Sequence, residues 1–200
     1  MEMVIIRHGQ TAGNLAGRYI GRTDEPLCAE GIAAVRKMGS FQGLDRVYVS
    51  PLRRTRETAA LLFPDSRQIF CPDLREMDFG DFEGKNAEDM VGNPAYQAWV
   101  ASNCLEPCPN GESLAGLTVR VSAAFSAIIE DNIRQGSLRL AIVAHGGTIM
   151  VLMQEFARPG LPFHSWHVPN ASGFKAQIDA QAWLTNQAIT DYERLEVLDW

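Results

Sequence analysis

Two apolar runs in this chain end on histidine followed by glycine. The first reads Val4-Ile5-Ile6-Arg7-His8-Gly9 and the second Val143-Ala144-His145-Gly146-Gly147. A neutral imidazole is a nucleophile that can carry a covalent group. A guanidinium is a planar fork of donors suited to phosphate oxygens. One Arg-His-Gly turn is as readily a cationic strand end as a site. Two His-Gly strand ends and further arginines make a phosphate pocket the better reading.

The arginines stand in Ser50-Pro51-Leu52-Arg53-Arg54-Thr55-Arg56-Glu57. Cations in the first turn of a helix oppose its dipole, and an anion on the free amides would offset that. Arg53 and Arg56 read more simply as a solvated basic face. A last element is acidic, Leu74-Arg75-Glu76-Met77-Asp78-Phe79-Gly80-Asp81-Phe82-Glu83-Gly84. A carboxylate beside a phosphate pocket is repulsive unless it brings a proton, which is what a general acid does. The plainer reading, a solvated acidic loop, covers some of these residues.

The elements that must position these groups follow from periodicity. Short β-branched runs at Val4–Ile6, 46–49, 68–71 and 138–144 predict strands. Residues 28–38, 52–63, 112–134 and 148–156 predict helices, the third with an apolar stripe of Leu117, Val121, Phe125, Ile128 and Ile129. One or two short helices are expected over 87–101, and late strands over 174–178 and 195–198. Alternating strands and helices predict an α/β fold, a three-layer αβα sandwich on a mostly parallel sheet, with ligands at the carboxyl strand ends. The expectation is one domain over 1–200 with a short excursion at about 85–111.

Composition is ordinary, with 46% hydrophobic and 21% charged residues. A net charge of −6 argues against a general binder of nucleic acid or anionic membrane, while leaving room for a local cationic pocket. Cys28, Cys71, Cys104 and Cys108 form no C-x-x-C pair and read as reduced packing thiols. No apolar stretch approaches the ~18 residues of a membrane span and no leader pattern stands at the start, so the expected location is cytoplasmic. No carboxylate cluster beside the histidines resembles a metal cage, and no metal or cofactor is expected. The expected partner is a small phosphorylated metabolite, and the sequence leaves monomer and homodimer open.

Taken together, Arg7-His8-Gly9-Gln10-Thr11-x-x-Asn14, Gly21-x-x-Asp24-x-Pro26-Leu27, Ser50-Pro51-Leu52-x-Arg54, Leu74-x-Glu76 and His145-Gly146-Gly147 resemble the histidine phosphatase superfamily, the phosphoglycerate mutase-like proteins. The resemblance runs from about residue 3 to 155. It implies a phosphoglycerate mutase-like fold, His8 as the residue that becomes phosphohistidine, and Arg7, Arg54 and His145 as clamps on the phosphoryl oxygens. It further implies Glu76 as proton donor, Asn14 as an accessory contact, and Gly21 and Gly146 as part of the phosphate site. Arg54 rather than Arg53 fits the motif spacing. The short excursion and the acidic stretch look like the phosphatase branch. A broad-specificity sugar-phosphate phosphatase, a cofactor-dependent mutase and a non-catalytic binding protein are the alternatives. Tyr96 and Trp99 read as packing in preference to substrate stacking, and His164, Trp166 and His167 as packing or surface.

Overall fold

The computed structural model describes residues 1–195. Six strands among them form one sheet in the order β3-β2-β4-β1-β5-β6: β1 (Glu2–Arg7), β2 (Arg46–Val49), β3 (Arg67–Phe70), β4 (Arg139–Ala144), β5 (Gly173–Gln177) and β6 (Asp191–Leu195). β3, β2, β4 and β1 pair in parallel, and β5 runs against both β1 and β6. The sheet is mostly parallel and carries helices on both faces, as expected of the α/β reading.

Alternation along the central strands builds the two outer layers, because successive side chains leave opposite faces. Met3, Ile5, Leu140 and Ile142 pack against α5 (Leu114–Arg134), α6 (Gly146–Phe156) and α7 (Ala180–Asn186) through Val121, Phe125, Leu152 and Trp183. Val4, Ile6, Ala141 and Val143 pack against α2 (Ala29–Lys37) and α3 (Arg53–Leu62) through Val35, Met38, Ala59 and Leu62. Phe82, Met90, Trp99 and Cys108 form a smaller third cluster around α4 (Pro94–Ala101), apart from the sheet.

Of the stretch 87–101 only Pro94–Ala101 is helical, started by the Asn93 cap; the other expected helix boundaries move by one or two residues, for reasons visible in the caps. Ser113 caps α5 by accepting the amide of Gly116, so the helix starts at Leu114 rather than at Glu112. α6 starts at Gly146, ahead of the expected Thr148, because both glycines take helical geometry directly after β4. α7 has no counterpart in the sequence reading. The last observed strand is Asp191–Leu195; of the expected strand at 195–198, only Leu195 lies within the described residues. Among the described residues no helix is long and apolar enough to cross a membrane.

Candidate active site

β2, β4 and β1 are neighbours, and Val49 pairs with Val143 while Arg7 pairs with Ala144. The residue that follows each strand is therefore delivered to one edge: Ser50, His145 and His8 side by side. The rings of His8 and His145 lie 5.1 Å apart at 64°. Both are buried, His8 at 3% exposure and His145 at 0%.

His8 is fixed through the peptide that follows it. Its Nδ1 donates to the carbonyl of Gly9 at 2.7 Å, and the Gly9 amide donates to Thr58 Oγ1 at 3.0 Å. Thr58 in turn donates to the Arg54 carbonyl, tying the first turn of α3 to the same knot. A Cβ on Gly9 would stand 2.7 Å from Val35 and 2.9 Å from the Gly31 carbonyl, so α2 approaches too closely for any other residue. With its proton on Nδ1, the neutral ring keeps a lone pair on Nε2. Burial, first, and then the charges of Arg54 and Arg7 hold the His8 pKa well below its ordinary value; the Gly9 bond opposes them without prevailing. The same causes, with burial again first, hold His145 down.

Arg54 is wholly buried. Its Nη1 donates to the Thr23 carbonyl at 2.7 Å, and its Nη2 to Gly21 at 2.7 Å and Ile20 at 3.3 Å. Its Nε donates to Nδ1 of His145 at 3.3 Å. Glu83 holds that loop in place, accepting from the amides of Gly21 and Thr23 and from the Thr23 hydroxyl. Arg53, by contrast, is exposed and pairs with Glu57, so the motif position and not its neighbour enters the site. The anion expected at the start of α3 is supplied from within the chain: the Arg53 amide donates to Asp24.

Arg7 donates from Nη1 to the Val168 carbonyl at 2.7 Å, with Nε2 of His167 at 3.4 Å from the same nitrogen. Its Nε is buried with no partner among the described residues, an unmet donor of the kind that an anionic ligand satisfies. Gly146 lies beneath this guanidinium, where a Cβ would stand 3.3 Å from Cζ. Glu76 stands at the start of α6 and accepts from the amides of Gly147 and Met77, each at 3.0 Å. A Cβ on Gly147 would fall 2.5 Å from Glu76 Oε1, so a larger residue there would displace the Glu76 carboxylate.

Glu76 lines a cavity of about 520 Å³ with Arg22, Leu52, Arg75, Asp78 and Arg120 among its walls. Two of its cations are matched within the chain. Arg120 forms a two-pronged pair with Glu112, and Arg22 a longer one with Asp78. A larger cavity of about 660 Å³, with Glu2, Arg46 and Leu138 in its wall, opens at the amino ends of the strands, the opposite edge from the histidines. Among the described residues no group of three or more His, Cys, Asp or Glu could hold a metal ion.

The structure thus brings Arg7, His8, Arg54, Glu76, His145 and Gly146 to one edge, with Gly21 present through its carbonyl. Asn14 is linked less directly. Its Oδ1 completes a capping box with Thr11 at the start of α1 (Ala12–Leu15) and accepts from Asn170, which also donates to the His8 carbonyl. Trp99 is 4% exposed inside the third cluster, and the Tyr96 hydroxyl meets that of Tyr19, so packing is the observed role of both. Sequence reasoning missed Asn170, and it set His167 aside although that ring reaches the guanidinium of Arg7. Neither carried a signal, because the loop that bears them meets the site through long-range contacts that the antiparallel return of β5 sets up and no local spacing reveals.

Comparison with known proteins agrees with this geometry. The family model described as Histidine phosphatase superfamily (branch 1) matches residues 3–189. Adenosylcobalamin/alpha-ribazole phosphatase of Salmonella typhimurium is 29% identical over 206 residues, covering 100% of this chain and 96% of that protein. The 2,3-bisphosphoglycerate-dependent phosphoglycerate mutase of Rhizobium etli is 33% identical over 169 residues, covering 78% of this chain and 80% of the mutase. Among solved structures, the alpha-ribazole phosphatase from Shigella flexneri superposes with a TM-score of 0.80 at 26% identity, covering 100% of this chain and 99% of that one.

Proposed function

We propose that this chain, which belongs to the histidine phosphatase superfamily and is a phosphatase of it, is a metal-independent phosphomonoesterase that passes the phosphoryl group through Nε2 of His8, with α-ribazole 5′-phosphate as its substrate. The observation that carries the chemistry is the state of His8. Its Nδ1 is committed to the Gly9 carbonyl at 2.7 Å, and burial among cations keeps the ring neutral, so Nε2 holds a lone pair at rest.

In this reading Nε2 attacks phosphorus as the ester oxygen leaves. Arg7 and Arg54 lie where charge spreads over the equatorial oxygens, each worth on the order of 10²–10³ in rate. Glu76, aimed by two backbone amides at the wall of the cavity, protonates the leaving alkoxide. It then takes a proton from the water that hydrolyses the phosphohistidine. The leaving group occupies the cavity that Glu76 lines.

The substrate assignment rests on extent of likeness. The α-ribazole phosphatase of Salmonella typhimurium matches 100% of this chain, whereas the Rhizobium etli mutase matches 78% of it. A second reading, a sugar-phosphate phosphatase of broad specificity, is favoured by the cavity wall. Leu52 is its one apolar side chain, and Trp99 is withdrawn into packing. Turnover of a phosphate-ester panel in EDTA tests both readings. It should contain p-nitrophenyl phosphate, α-ribazole 5′-phosphate and several sugar phosphates. We expect activity in EDTA with kcat/KM highest for α-ribazole 5′-phosphate. Even activity across the sugar phosphates supports the second reading, and no turnover at all refutes the metal-independent mechanism.

A further inference from the structure

Ser50 is fully buried at the carboxyl end of β2, and its Oγ stands 2.7 Å from Nε2 of His145. Its backbone is pinned on both sides. The amide donates to Val143 on β4, and the carbonyl accepts from Thr55 on α3. The other ring nitrogen of His145, Nδ1, receives the Nε–H of Arg54. A guanidinium can donate but not accept, so Nδ1 must carry a lone pair. The ring is neutral, and its single proton sits on Nε2, donated to Ser50. At rest His145 therefore offers no free proton to an anion.

A ligand of phosphoryl oxygens needs one, and there are two ways to supply it. A change of tautomer would require Nε2 to lose its proton, Ser50 to turn from acceptor to donor, and a proton to reach Nδ1. Protonation of Nδ1 alone requires one transfer. The O–H bond of a phosphate monoester monoanion breaks, an N–H bond forms at Nδ1, and an imidazolium is left against a dianion. Arg54 Nε–H, losing its acceptor, is released toward the phosphoryl group. Ser50 keeps its role unchanged throughout and accepts from Nε2 before and after.

We propose that Ser50 is a positioning residue for His145, accepting the Nε2–H of the tautomer that Arg54 selects and holding the ring so that its Nδ1 lone pair takes up a proton from the incoming phosphate monoester. This rests on the reading of His145 as a phosphoryl ligand. The groups around the ring are Arg54, His8, Arg7 and Arg120, which oppose protonation until an anion arrives.

The chain has four histidines, so long-range ¹H–¹⁵N correlation of the imidazoles is tractable, with His145→Gln assigning the signal. In the resting enzyme we expect His145 as the Nε2–H form alone, and with inorganic phosphate near pH 6 as the doubly protonated ring. Ser50→Ala should leave the Nε2–H without an acceptor, moving its resonance away from the hydrogen-bonded position, and lower kcat/KM for p-nitrophenyl phosphate by about 10- to 100-fold, the range expected for a buried donor left without a partner. Ser50→Thr, which keeps the hydroxyl, should restore both the hydrogen-bonded Nε2–H resonance and most of the activity. An Nδ1–H signal in the unmodified resting enzyme overturns the proposal whatever the variants do, and so does an Nε2–H resonance left unmoved in Ser50→Ala. A ring that stays singly protonated with phosphate bound removes the uptake step. The resting spectrum is read without turnover, so its outcome is separate from that of the activity panel.

Discussion

Burying two neutral imidazoles among cations makes the fold sensitive to acid. Lowering the pH from 7 to 5 is the perturbation. An unfolded histidine takes up a proton near pH 6.5, whereas His8 and His145 are both held well below that value in the fold. The unfolded chain therefore binds more protons as pH falls, and stability is lost with it. The contribution is intact above about pH 6.5 and declines from there toward the depressed folded values. For a ring that stays neutral when folded, the loss between pH 7 and 5 is about 1.9 kcal/mol, or about 4 kcal/mol for the pair, against a total stability of about 5–15 kcal/mol. The rings lie 5.1 Å apart, so a proton on one further disfavours a proton on the other.

The assay is urea unfolding at 25 °C across that range, in buffer free of phosphate and sulfate. The comparison is with the His8→Gln/His145→Gln double variant. Carboxylates and the two remaining histidines titrate in both proteins and cancel in the difference. The native chain should lose about 4 kcal/mol more than the variant between pH 7 and 5, with most of the divergence below pH 6.5. Parallel profiles, agreeing within about 1 kcal/mol, would refute the argument that these rings are neutral in the fold, and with it the account of His8 as a ready nucleophile.

Three further outcomes are expected. His8→Ala should abolish turnover and acid-labile labelling by a phosphate donor, measured with ³²P; persistent label would place the nucleophile elsewhere. Glu76→Gln should slow alkyl phosphates by about 10²-fold or more while affecting p-nitrophenyl phosphate far less, because a good leaving group needs no proton; equal losses for both esters would remove Glu76 as the acid. Gly147→Ala should show the same leaving-group dependence in weaker form, since the added Cβ would stand 2.5 Å from Glu76 Oε1. Its melting temperature should stay within a few degrees of the native value, the ~1 kcal/mol gain in helix propensity offsetting the local crowding. Unaltered alkyl phosphate hydrolysis by this variant would show that Glu76 is not held where the mechanism needs it.

The fold was legible where burial dictates composition. β1 and β4 are covered on both faces, so their residues are apolar almost without interruption, and α5 carries a stripe because one face of it is buried. β6 shows the converse. Its Asp191-Tyr192-Glu193-Arg194-Leu195 sequence sits at the edge of the sheet, where charged side chains are tolerated and suppress further pairing, so it lacks a strand's apolar signature. The more apolar residues just beyond drew the expected strand to 195–198. α7 escaped notice for its brevity, although Asp179 caps it by accepting the Ala182 amide and Gln187 closes it in a left-handed conformation. Both are end signals that only have meaning once a helix is suspected between them.

The site was legible as residue types but not as a division of labour, and the two arginines show why. Each was assigned the same clamping role, yet the fold uses them differently. Four contacts from Arg54 go to three loop carbonyls and one imidazole, so of its five donors most are committed to holding the walls together. Arg7 gives one strong bond to a carbonyl and keeps a buried Nε unmet. The donor with least to do in the resting molecule is the one with most to offer an anion. In the reaction proposed here Arg7 meets the phosphoryl group with a donor that is already unmet, whereas Arg54 brings its Nε–H only after His145 releases it. No spacing rule could distinguish these uses, because the difference lies in the carbonyls of Ile20, Gly21 and Thr23. Glu83, from the acidic stretch, holds the same loop by accepting from the amides of Gly21 and Thr23.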